Sequence, residues 1–102
     1  MSRIDGKVAV VTGGTQGLGA AIALRLAQDG ASGIVTCGRN REKGEAVARN
    51  VEAKTSCRVR FIEADLGKVA DCRAVIAAAD ETFGRVDVLV RTPPGSPIGA
   101  TF

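Results

Sequence analysis

Val8-Ala9-Val10-Val11-Thr12-Gly13-Gly14-Thr15-Gln16-Gly17-Leu18-Gly19 is a short apolar run that breaks into a glycine-rich turn. An alanine-rich segment, residues 20–28, follows at once with helical character. Strand, glycine turn and helix in that order give the glycines a specific physical use. Gly13 permits a tight turn, Gly17 lets the backbone approach a pyrophosphate, and Gly19 lets the helix pack closely on the strand. The unpaired N–H groups and the positive dipole end at the helix start then favour phosphate.

Working outward, the apolar run without alternation suits a central parallel strand covered on both faces, over residues 7–12. Leu18, Ile22 and Leu26 recur every four residues and predict a helix over 17–29, with Gly30 at its C-terminal cap. A second apolar strand is expected over 33–37, and a charged helix over 41–54 with Val47 and Val51 inward. In 58–63, Val59 and Phe61 alternate with Arg58 and Arg60, the pattern of an edge strand or one with a wet face. A third helix over 68–83 is predicted with Val69, Cys72, Ile76, Ala79 and Phe83 as its buried stripe. Gly84-Arg85 ends it, and a fourth strand is expected over 86–90.

Three strand–helix units and a closing strand make a βαβαβαβ series. Right-handed crossovers then give an α/β fold, half of a doubly wound Rossmann-type parallel sheet in the order 3-2-1-4. Residues 1–90 are expected to form this half-domain and residues 91–102 an irregular tail. In a longer parent the sheet would be the middle of three α/β/α layers.

Composition narrows the function classes. Of the 102 residues, 45% are hydrophobic and 25% charged, which reads as a soluble globular chain. The net charge of +3 is scattered and the only aromatics are three phenylalanines, so nucleic-acid binding is not expected. Cys37, Cys57 and Cys72 are odd in number and widely spaced, which suits small buried hydrophobes in a reducing compartment. With no histidine, a zinc site is not expected either. No stretch reads as a signal peptide or a membrane span, so the expected location is cytoplasmic.

In an open parallel sheet the ligand lies off the carboxyl ends of the strands. After the first strand, Thr15 and Gln16 join the glycines as candidate phosphate or ribose contacts, with Leu18 in the same turn. After the second come Cys37-Gly38-Arg39-Asn40, where an NAD site usually places a carboxylate for the ribose hydroxyls. No acid stands at 36–40, while Arg39 can pair with a 2′-phosphate, so NADP(H) is expected over NAD(H). Asn40 is counted with Arg39 in the candidate site. After the third strand comes Asp65-Leu66, where a lone loop aspartate reads equally well as a helix cap.

The spacing Thr12-Gly13, Gly17, Gly19 resembles the Thr-Gly-x-x-x-Gly-x-Gly of the short-chain dehydrogenase/reductase family, over residues 6–90. That resemblance implies an adenine contact for Asp65-Leu66. It also implies a parent activity of NADP-dependent carbonyl reduction or alcohol oxidation, run by Tyr as general acid/base, a Lys that lowers its pKa, and a substrate-orienting Ser. Val86-Asp87-Val88-Leu89-Val90 fits the family, but members continue Asn-Asn-Ala-Gly or Asn-Ala-Ala-Gly. Here the sequence reads Arg91-Thr92-Pro93-Pro94-Gly95, no tyrosine occurs, and Ser2, Ser32, Ser56 and Ser96 stand far from the family's catalytic position.

Codon degeneracy allows 91–100 to be encoded so that the neighbouring frame reads Asn-Ala-Ala-Gly-Leu-Thr-Asp-Arg-Gly from position 91. The tail is therefore expected to record a frameshift in the gene of a longer dehydrogenase. Three functional readings follow. The favoured one is a catalytically inactive NADP(H)-binding fragment. The others are a regulatory nucleotide-binding module that pairs with a full-length relative, and an unstable product without function. Because the fourth strand has no partner in the sequence, self-association through 86–90 is expected as well.

Overall fold

A computed structural model describes residues 4–12, 17–65 and 68–91. Its elements are β1 (Val8–Thr12), α1 (Gly17–Gln28), β2 (Gly33–Gly38), α2 (Arg41–Lys54), β3 (Arg58–Glu63), α3 (Val69–Phe83) and β4 (Val88–Arg91). All strands are parallel in one sheet of order β3-β2-β1-β4, the Rossmann-like arrangement expected. The register pairs Val10 with Val35 and with Leu89, and Val35 in turn with Arg60.

The centre of the sheet explains the unbroken apolar runs. Every residue of β1 is buried, as is all of β2 except Gly38, because helices cover both faces of these two strands. On one face Ala9, Val11, Ile34 and Thr36 lie toward α1 and α2, where Ala23, Ala27 and Val51 close a core. On the other, Val10, Val35 and Cys37 pack with Val75 and Ala79 of α3. Burial of a Val or Ile side chain contributes ~1.5–3 kcal/mol, so the two layers over β1 and β2 dominate the stability.

Edge strands behave differently. In β3, Arg58 and Arg60 are exposed while Val59 and Phe61 are half-buried, as the alternation implied. Arg60 sends its guanidinium to the Thr82 hydroxyl of α3. In β4, Val88 and Val90 reach the α1/α2 core, but Leu89 is 53% exposed.

The third helix corrects one expectation. Its buried residues are Val75, Ala78 and Ala79, whereas Val69 is 70% and Ile76 42% exposed. Ala79 and Phe83 of the predicted stripe do pack against the core, but Val75 and Ala78 are buried where Val69 and Ile76 were expected. Short side chains let the helix axis approach the strands, and Phe83 then lays its ring over Gly33, where a Cβ would come within 2.6 Å of it. The helix ends at Gly84, whose φ of 76° is the left-handed conformation open to glycine, and whose N–H donates to Asp80 O at 2.7 Å.

The fourth strand begins two residues later than expected and extends through Arg91. The preceding Asp87 is engaged otherwise: its carboxylate accepts from Val8 N–H at 2.9 Å and from Arg85 Nη2 at 2.7 Å. The tail at 92–102 lies outside the described residues.

Candidate functional site

The carboxyl ends of β2 and β3 open into a cleft of about 290 Å³ lined by Arg39, Arg41, Glu63, Ala64, Asp65 and Asp71. Chain connectivity builds it. Parallel pairing brings Gly38, the last residue of β2, opposite Glu63, the last of β3. The segments leaving both strands therefore start side by side, and the Ala64 N–H donates to Gly38 O at 2.9 Å, tying the two exits together.

Arg39 is exposed and, among the described residues, forms no hydrogen bond or ion pair. Asn40 is the N-cap of α2: its Oδ1 accepts from Lys43 N–H at 3.0 Å. That bond satisfies one of the free N–H groups at the helix start and fixes where the chain turns after Arg39. The structure thus gives Asn40 a defined structural duty beside the ligand contact expected of it.

Asp65 stands at the same cleft, 26 residues further along the chain. Its N–H donates to Asp71 Oδ2 at 2.7 Å, and its carbonyl accepts from Lys68 N–H at 2.9 Å. The N-cap position of α3 belongs to Lys68, which makes no side-chain capping bond, so Asp65 is not the capping residue of that helix. Asp71, in the first turn of α3, reaches back to the Asp65 backbone.

Arg41 donates from Nε to Glu63 Oε1 at 3.0 Å. This hydrogen bond, together with the Glu63 charge, raises the Arg41 pKa above its ordinary value. Arg41, Glu63 and Asp71 were not read from the sequence as site residues. The Arg41–Glu63 pair spans 22 positions and depends on strand register, and an aspartate six residues beyond Asp65 matches no local capping pattern.

Of the remaining candidates, Gly17 opens α1 and Gly19 is buried in its first turn. Leu18 lies in the same turn of that helix. Gly13, Thr15, Gln16 and Leu66 lie outside the described residues. The structure therefore brings Arg39 and Asp65 to one cleft and places the start of α1 beyond the carboxyl end of β1.

None of the three cysteines lines this cleft. Cys37 and Cys57 are buried, one in each core layer, and burial with the nearby Glu52 charge pushes the Cys57 thiol up to about 11. Such a thiol stays protonated at neutral pH and behaves as a small hydrophobe. Among the described residues no helix is long and apolar enough to cross a membrane.

Residues 7–94 match the family model described as short chain dehydrogenase. An uncharacterized oxidoreductase of Methylorubrum extorquens is 41% identical over 90 residues, which are 88% of this chain and 36% of that protein. A 3beta-hydroxysteroid dehydrogenase of Mediterraneibacter gnavus is 38% identical over 90 residues, 88% of this chain and 32% of its own length. Among solved structures, L-sorbose reductase from Gluconobacter frateurii, complexed with NADPH and L-sorbose, superposes with a TM-score of 0.84 at 36% identity. That match covers 91% of this chain and 35% of the reductase. The chain thus spans about a third of the length of these relatives.

Proposed function

We propose that this chain, which belongs to the short chain dehydrogenase family, binds the adenosine end of a nicotinamide dinucleotide, with NADP(H) favoured over NAD(H). The observation that carries the preference is Arg39: an exposed guanidinium at the carboxyl end of β2, without an ion pair among the described residues, in a cleft it shares with Asp65. The donor set suits that group. A guanidinium fork matches a 2′-phosphate, and the segment 36–40 offers no carboxylate to a ribose 2′-hydroxyl. Asp65 supplies acceptor oxygens on the side of β3, fitting an adenine amine. The NADPH bound by the sorbose reductase, a protein of the same fold at 36% identity, supports the same reading.

When bound, a nicotinamide dinucleotide supplies hydride transfer. The residues of this chain would contribute phosphate and adenosine binding only. We assign it no proton donor of the family's kind, since the sequence contains neither tyrosine nor histidine. Carbonyl reduction or alcohol oxidation is proposed for a full-length parent, and the 102-residue chain is proposed to be catalytically inactive. Titrating purified chain with NADPH while following nucleotide fluorescence tests the binding. Saturable enhancement is expected with no turnover of carbonyl substrates; a flat titration would contradict the proposal.

A second reading concerns partners. Leu89 is 53% exposed on the edge strand β4, and Val86, just before that strand, is 38% exposed, which suits pairing with a second copy of this chain. Sedimentation should show self-association that Leu89→Lys weakens. A monomer at all concentrations, unaltered by the substitution, would rule this out.

A further inference from the structure

The cleft holds a second cation, Arg41, already bound by a carboxylate. Arg41 lines the same space as Arg39, two residues on at the first position of α2, and its Nε–H donates to Glu63 Oε1 at 3.0 Å. Both side chains are largely exposed, at 65% and 50%, so neither is locked by packing. Glu63 ends β3 directly opposite Gly38, the residue before Arg39. Counting the lining residues, two guanidiniums face three carboxylates: Glu63, Asp65 and Asp71. Asp71 accepts from the Asp65 N–H, and Glu63 is paired with the cleft cation Arg41.

We infer that Glu63 sets how strongly the site discriminates for a 2′-phosphate, by holding Arg41 away from the phosphate that Arg39 contacts. Glu63 is thus a positioning residue acting through Arg41. The inference rests on the reading of Arg39 given above and adds a competition to it. A phosphate dianion and the Glu63 carboxylate present the same kind of oxygen to one guanidinium. With Glu63 in place, Arg41 is partly neutralised and its guanidinium is held toward β3, away from the phosphate position. Without it, two cations face the phosphate. Exposed charges a few ångströms apart interact by ~1 kcal/mol in water, so removing the carboxylate should favour the phosphate by ~3- to 10-fold.

The test measures binding of 2′,5′-ADP and 5′-AMP by calorimetry, to the wild-type chain, Glu63→Gln, Arg41→Gln and the double variant. The two probes differ only in the 2′-phosphate. Glu63→Gln is expected to raise the ratio of the two affinities ~3- to 10-fold at low salt, with the gain shrinking as salt screens exposed charges. In the Arg41→Gln background the same change should alter the ratio less than ~2-fold, because its effect travels through Arg41. Glu63→Ala serves as the second variant and should move the ratio in the same direction as Glu63→Gln. An unchanged ratio in both Glu63 variants would overturn the inference, as would an equal gain with and without Arg41. Equal affinities for the two probes in the wild-type chain would instead sink the Arg39 reading. Discrimination that then emerged in Glu63→Gln would still support the competition, and its absence would overturn both.

Discussion

Asp87 and Val8 bind each other twice across 79 positions of sequence: Val8 N–H donates to Asp87 Oδ2, and Asp87 N–H donates to Val8 O, both at 2.9 Å. The carboxylate also accepts from Arg85 Nη2 at 2.7 Å. Together these bonds fasten the start of β1 to the entry of β4.

The clasp gives a pH dependence. The Arg85 hydrogen bond first, then the Val8 N–H, lower the Asp87 pKa below its ordinary value of 3.8. A depressed carboxylate contributes stability that is fully present above 3.8 and is lost as pH falls through the folded-state value. Asp87→Asn should therefore lower the melting temperature at pH 7 and reduce the acid sensitivity below pH 3.8. Thermal melts from pH 2 to 7 check this; parallel curves for the two proteins would show that the carboxylate carries no linked stability.

Thr36 offers a stabilising change. Its hydroxyl is buried in β2 without a hydrogen-bond partner among the described residues. Valine has the same shape and carries no polar atom to desolvate, so Thr36→Val should stabilise the fold by ~1 kcal/mol. For a domain of this size that corresponds to a melting temperature higher by ~4–8 °C. A fall on substitution would mean that the hydroxyl is satisfied.

Gly44 lies inside α2, where glycine weakens a helix by ~1 kcal/mol relative to alanine. The Phe61 ring of β3 occupies the place a Cβ would take. Gly44→Ala should thus destabilise by ~1–3 kcal/mol despite its better helix propensity. Adding Phe61→Leu should recover part of that loss. Denaturant unfolding of the single and double variants reads the coupling; stabilisation by Gly44→Ala alone would show that the ring moves aside freely.

The strand order was legible because right-handed crossovers leave few ways to lay out alternating strands and helices. The edge position of β3 showed in Arg58 and Arg60 standing between Val59 and Phe61. The phase of α3 was legible only in part. Ala79 and Phe83 pack as read, but the larger Val69 and Ile76 draw the eye while Val75 and the small Ala78 are the ones buried, because close helix–strand approach selects size as well as polarity. At the site, Arg39 and Asp65 could be picked out since each follows the end of a strand. Arg41 and Glu63 could not, because their meeting is set by the side-by-side ends of β2 and β3 and leaves no pattern in either segment.

The most direct measurement compares NADPH and NADH binding by the wild-type chain with binding by Arg39→Asp. A charge-assisted contact to a phosphate is worth ~1.5–3 kcal/mol, and the exposure of Arg39 reduces that, so a preference for NADPH of about tenfold is expected. Arg39→Asp removes the cation and supplies an acceptor for the ribose hydroxyls, and should turn the preference toward NADH. Equal affinities of the wild-type chain for the two cofactors, unchanged in Arg39→Asp, would contradict the assignment of Arg39 to the 2′-phosphate.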